Sequence, residues 1–224
     1  MEELGRIYQL IVPFYGHEMR FNLDVMVMTW IVIAILLSFG FMATRRKSRL
    51  PGLMQVVGEL FVAQLYGLTE DAVGKDKVNA YAPLISALFM FLLISNWLGI
   101  IPHLHEPSKD LNTTLSLGLM GFVISHYAGI KQKGIKTYIK EYFQPIFFMM
   151  PLNVIGELAK VVSISFRLFG NIMGGSIIIM VVSYLTYSVL LPPLLNVFFG
   201  IFVGTIQAFV FTMLTVVYIS VQVK

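Results

Sequence analysis

The chain has 224 residues, 57% hydrophobic and only 12% charged, with a mean hydropathy of +0.80, whereas a soluble domain carries about 25% charged residues. That composition excludes a soluble enzyme, and the formal net charge of +4 reflects basic clusters beside apolar runs rather than a nucleic-acid surface. There is no cysteine, which excludes disulfide frameworks, zinc–thiolate sites and thiol chemistry. The apolar runs are unbroken, unlike the alternating strands of a β-barrel. The predicted fold class is an all-α polytopic membrane protein with about five membrane-embedded helices and one amphipathic segment.

Residues 1–22 mix polar and apolar types around Pro13 and Gly16 and read as an outer extramembrane segment. The first span covers about 23–43, enough for ~30 Å of hydrocarbon. Asp24 at its start complements the helix dipole. No basic leader precedes this run, and Arg45, Arg46, Lys47 and Arg49 follow it. This pattern suits a retained span better than a cleaved signal peptide, and it places that end in the cytoplasm. Residues 51–77 are amphipathic, with Leu53, Val56, Val57, Leu60 and Phe61 at helical spacing and Glu59, Glu70 and Asp71 between them. Glu59 is read as an interfacial or packing charge.

The second span covers about 81–101, with Trp97 suited to an interfacial belt. The following HLHEPSKD loop lies outside, and its His103 and His105 lack the further ligands of a metal site. The third span starts near Asp110 and ends near Ala128, so the first three spans occupy 23–130. Asp110 or Asn112 can cap this helix; alternatively they line a watery outer entrance. Lys131, Lys133, Lys136 and Lys140 form a second cytoplasmic cluster. The two clusters agree on an outer N-terminus and a cytoplasmic Lys224. Single cysteines at Ser48 and Ser108 should therefore label from opposite sides.

Residues 151–223 are read as a hairpin of two long helices. The first runs from Leu152 until Pro192-Pro193 stops it near Leu191, and the second from Leu194 to Val223. At 1.5 Å per residue they span roughly 60 Å and 45 Å, well beyond the ~30 Å hydrocarbon core, so both must tilt steeply. From Leu168 to Val223 there is no Asp, Glu, Lys or Arg, and Arg167 stands at the head of that run. A charge at the bilayer centre costs roughly 3 kcal/mol or more, and arginine cannot escape by losing its proton. Lys160, Ser163, Arg167, Asn171 and Gly174 recur at three- and four-residue spacing and share one face. Gly200, Gly204 and Gln207 share a face on the second helix, with the close-approach GxxxG spacing. Gln207 is expected to accept from the guanidinium. Glu157 lies ten residues before Arg167, ~15 Å along a helix, too far to pair with it. On the residues alone, Arg167 serves an ion path, a transporter site for an anionic substrate, or structure.

The segments PGLMQVVGE, NWLGIIPHL, DLNTTLSL, ELAKVVSISFRLFGNIMGG and TIQAFVFTMLTVVYIS resemble subunit a of the F-type rotary ATP synthases over most of the chain. The resemblance implies a stator subunit that packs on a ring of c subunits and binds peripheral-stalk b subunits and, through them, the rest of the complex. It also implies a prokaryotic plasma membrane location, with ATP chemistry elsewhere in the complex and no cofactor or metal in this chain. Arg167 would face the ring carboxylates, with Asn171 and Gln207 in support. Two offset half-channels would meet the ring, with Glu157 toward the cytoplasm, Asp110, Asn112 and Ser176 toward the outside, and Asn153 and Ser163 as further half-channel residues. The chain departs from the common family pattern at four places. Ser176 stands where Glu is frequent, Gly200 where His or Glu is frequent, Asn153 where an acid is frequent, and Val161 where Pro is frequent. The loss of titratable groups at 176 and 200 shifts the balance toward sodium, and the coupling ion stays open between sodium and the proton.

Overall fold

The computed structural model describes residues 9–14, 17–44, 52–101, 104–143, 147–185 and 191–223. Ser48, His103 and the basic run 45–49 lie outside the described residues. The membrane part is all helical, as expected: α1 is Leu23–Thr44, α2 Leu53–Val73, α3 Val78–Leu98, α4 Leu111–Lys133, α5 Ile135–Tyr142, α6 Met150–Leu185, α7 Leu191–Val197 and α8 Gly204–Val223. Five helices are long and apolar enough to cross a membrane, the last being α7 and α8 joined over Leu191–Val223. Residues ahead of α1, read only as an extramembrane segment, form an antiparallel hairpin of β1 (Gln9–Phe14) and β2 (His17–Asn22), with Gln9 opposite Asn22 and Phe14 opposite His17.

α8 is the buried centre. Gly204, Gln207, Ala208, Phe211, Thr212, Thr215, Val216, Ile219, Ser220 and Val223 are all covered by neighbouring elements. Phe211 and Ala208 pack with Leu65 of α2, with Leu88, Phe89, Leu92 and Leu93 of α3, and with Ile164, Leu168 and Ile172 of α6. Between helices in lipid, packing of small residues and satisfied polar groups replace the hydrophobic drive. α4 follows that rule. A side chain at Gly118 would overlap Ser165 Oγ, and a Cβ at Gly121 would stand 3.3 Å from Thr215 Cγ2. The buried hydroxyls of Thr212 and Thr215 bond carbonyls one turn back, at 2.8 and 3.0 Å. Opposite extremes are α1, which buries only Val32, and α6, which buries one stripe of Ile164, Ser165, Leu168, Ile172 and Gly175.

The prolines stand at the start of the second long helix. α6 ends at Leu185, and Pro192 and Pro193 stand in the first turn of α7. There the missing N–H has no helical partner to lose, so the pair opens the second helix; residues 186–190, over which the first was expected to run on, lie outside the described residues. α6 has 36 residues and α7–α8 has 33, roughly 54 and 50 Å at 1.5 Å per residue.

Ser108 proves a poor outer reporter, being 1% exposed with its hydroxyl engaged. His105 and Thr137 are exposed. Under the charge-based topology, single cysteines at these two positions are expected to react with an impermeant maleimide from opposite sides of the membrane. Same-side labelling would overturn that topology.

Candidate functional site

Arg167 lies on the open side of α6. Ser163, Arg167, Gly170 and Asn171 are all exposed there, and a Cβ at Gly170 or Gly174 would meet nothing within 4 Å. Val162, Phe166, Met173 and Ile177 flank this stripe, each 40–50% exposed. Among the described residues, none makes an ion pair or hydrogen bond with Arg167. Glu157, the acid nearest in sequence, is held instead by Lys160 at 2.7 Å. A guanidinium without a partner on an apolar helix face carries a desolvation cost that no group among the described residues offsets.

Gln207 does not touch the guanidinium. Its side chain is 3% exposed, and its Oε1 accepts from Asn171 Nδ2 at 2.8 Å. Asn171 is one turn along α6 from Arg167, so the pair ties α8 to α6 just beside the arginine. The expected Arg167–Gln207 bond is thus replaced by Asn171–Gln207, because Gln207 is buried on α8 while Arg167 faces away from it. Ser176 turns inward on its own helix, donating to Ile172 O at 3.0 Å.

The GxxxG pair admits the C-terminal end of α3 and the turn after it. A side chain at Gly200 would overlap Ile100, and a Cβ at Gly204 would stand 2.9 Å from Asn96 Cβ. This is the junction of α7 and α8, where Phe198–Val203 forms a π-helical turn. Such turns shift the hydrogen-bond ladder by one residue and re-aim the side chains beyond. Asn96 serves the turn directly: its Nδ2 donates to Gly204 O at 2.8 Å, and its Oδ1 accepts from Ser108 Oγ at 2.8 Å. Asn96 is fully buried. It went unrecognised in the sequence, although an amide inside an otherwise apolar span is itself a signal of a buried partner.

Two cavities flank opposite ends of α4, a helix of 23 residues and roughly 35 Å. The first, about 740 Å³, is lined by Asn22, Thr29, Trp30, Asp110, Asn112 and Ser116, with α1 and α3 completing its wall. Asp110 caps α4 by accepting from Asn112 N at 2.8 Å, as its position predicts, and also accepts from Asn22 Nδ2 at 2.6 Å. The second, about 420 Å³, is lined by Lys133, Glu141, Tyr142, Asn153, Glu157 and Lys160. The structure therefore brings Asp110 to Asn112 and Asn153 to Glu157, and groups Ser163 with Arg167, while Ser176 lines neither cavity. Among the described residues, no cluster of three His, Cys, Asp or Glu has the spacing to hold a metal.

The family model for the ATP synthase A chain matches residues 26–220. ATP synthase subunit a of Moorella thermoacetica is 42% identical over 192 residues, covering 86% of this chain and 87% of that one. ATP synthase subunit a 2 of Syntrophotalea carbinolica is 38% identical over 196 residues, 86% of this chain and 82% of that one. ATP synthase subunit a of Desulforamulus reducens is 35% identical over 215 residues, 92% and 82% respectively. With a family match across most of its length and five apolar helices, the chain is a multi-pass membrane protein that belongs to the ATP synthase subunit a family.

Proposed function

We propose that this chain is the stator subunit of a rotary F-type ATP synthase, forming one membrane domain that passes ions to and from a ring of c subunits. The observation that carries this reading is the unpaired Arg167 on an open, glycine-flanked face of α6. A fixed cation there meets a ring carboxylate as it arrives, and attraction at low dielectric favours the ionised carboxylate, expelling its bound ion. The same charge blocks direct leakage between the two cavities. Gly170 and Gly174 leave room for a ring helix to approach the backbone. Asn171 and Gln207 hold α6 and α8 in register beside the arginine.

In this reading the cavity with Asp110 and Asn112 is the outer half-channel, and that with Asn153 and Glu157 the cytoplasmic one. The lysines at 131, 133, 136 and 140 support that assignment through the positive-inside rule. The subunit sits in a prokaryotic plasma membrane, N-terminus outside, with α6 and α7–α8 tilted and with b subunits and the catalytic head as further partners. The coupling ion is a proton or sodium; sodium protection of the ring carboxylate against a carbodiimide separates the two.

Single cysteines along α6 test the docking face. Ser163→Cys and Gly170→Cys are expected to form disulfides with cysteines on the outer helix of the c subunit. Ile164→Cys and Leu168→Cys, on the buried stripe, are expected not to. Cross-links from both stripes, or from neither, would remove the proposed contact.

A further inference from the structure

A chain of polar side chains at the Lys133 end of α4 is used by none of the roles above. His126 Nδ1 lies 3.0 Å from Phe122 O, His126 Nε2 lies 3.1 Å from Tyr142 Oη, and Tyr142 Oη lies 3.1 Å from Tyr138 Oη. Chemistry orients every link. A carbonyl only accepts, so Nδ1 carries a proton; in the neutral imidazole Nε2 is then an acceptor and Tyr142 donates to it. The Tyr142 oxygen in turn accepts from Tyr138. Burial, first, and the bond to Tyr142 raise the Tyr138 pKa above its ordinary value, so its hydroxyl remains a donor. The chain ends on α6, where Asn153 Nδ2 donates to the backbone carbonyl of the same Tyr142 at 3.1 Å.

These bonds hold a short element. α5 has eight residues and buries only Tyr138, far too short to persist as a helix alone. It turns back against α4 at Gly134, whose φ of +79° suits glycine. The Tyr138 ring fits against Gly129, where a Cβ would stand 2.7 Å away. Ile135 and Ile139 stay exposed. Its further ties among the described residues include the Lys133–Glu141 pair at 3.0 Å, part-exposed and so weak, the edge-on His126–Tyr138 ring contact, and the His126–Tyr142–Asn153 links. Tyr142 and Glu141 form the α5 wall of the cavity that holds Glu157.

We propose that His126 and Tyr142 are positioning residues for this cavity: the imidazole fixes Tyr142, Tyr142 engages Asn153, and α5 is thereby latched as a wall beside Glu157. Asn153 supplies the amide that closes the latch. The proposal rests on the reading of this cavity as an ion path only for its consequence in transport; the latch itself is a matter of geometry.

The test uses the assembled complex in inverted membrane vesicles, with a cysteine at Gly156, which lines the cavity with open space beside it. Two readings are taken: the rate at which an impermeant maleimide labels this subunit, and ions pumped per ATP hydrolysed. Tyr142→Phe keeps the ring and the backbone carbonyl but loses the donor. His126→Asn keeps an amide near the Nδ1 position only, whereas His126→Gln places an acceptor near that of Nε2. Y142F and H126N are expected to label several-fold faster than the parent and to pump fewer ions per ATP; H126Q is expected to match the parent. Equal labelling in all four backgrounds overturns the latch, as does H126Q labelling as fast as H126N, which would leave the imidazole a packing group. Fast labelling with pumping intact supports the latch and removes the cavity from the ion path.

Discussion

Replacing Arg167 with alanine is expected to abolish ion-driven ATP synthesis while leaving the complex assembled. Assembly should survive because the side chain is exposed and has no bonded partner among the described residues, so its removal leaves no buried group unsatisfied. Trimming a charge from an apolar face even relieves a desolvation cost of roughly 3 kcal/mol. The loss should therefore appear in coupling, not in subunit levels. Arg167→Lys is expected to lose most synthesis as well. Ammonium is compact and strongly hydrated, and it cannot present the planar fork that matches a carboxylate. The measurement is ATP synthesis driven by an imposed ion gradient in membranes, beside immunodetection of the assembled complex. Normal coupled synthesis by the alanine variant would refute the role proposed for Arg167.

Asn96→Ala is expected to have the reverse profile, damaging stability first. The amide is fully buried and makes two hydrogen bonds, one to Gly204 O and one from Ser108. Deleting it strands the buried Ser108 hydroxyl, at ~1–3 kcal/mol for a buried unsatisfied group, takes one bond from Gly204 O, and leaves a void where Gly204 now permits close contact. A loss of about 3 kcal/mol overall is expected, read as a lower thermal midpoint of the complex and reduced subunit accumulation. Asn96→Asp keeps the shape and the acceptor for Ser108, but it puts carboxylate oxygen against the Gly204 carbonyl and should be at least as harmful. Ser108→Ala removes one bond at the rim of the network and should cost about 1 kcal/mol. If Asn96→Ala were as stable as the parent, the π-helical turn would not depend on the amide, and some other contact would hold Gln207 opposite Asn171.

The two variants together separate a residue that acts outward from one that holds the frame. Both sit in apolar spans and both are polar, so hydropathy alone ranks them alike. What distinguishes them is burial. Arg167 belongs to the stripe of α6 that no other element covers, one residue along from Leu168, which is fully buried. A rotation of about 100° per residue is enough to move a side chain from the core to the open face.

What the sequence alone determined here is what depends on local chemistry and on the lipid solvent. The membrane class, the five spans, the Asp110 cap and the isolation of Arg167 follow from runs of apolar residues, from capping chemistry and from the absence of carboxylates after Glu157. The assignment of Arg167, Asn171 and Ser163 to one face follows from helical period. Only the tertiary structure decided which helix each polar group meets. Gln207 turned from the guanidinium to Asn171, the Gly200–Gly204 pair received Ile100 and Asn96, and Ser108 went into the core although its loop reads as solvated. The hairpin before α1, the π-helical turn and the His126–Tyr142–Asn153 latch were likewise not legible. The reason is physical. Periodicity sets which residues share a face, but in a chain where nearly every face is apolar it does not say which face turns inward. That choice is made by close packing at glycines and by hydrogen bonds between residues far apart in sequence, such as Asn96 and Gly204 or Tyr142 and Asn153, and neither is a local property of the chain.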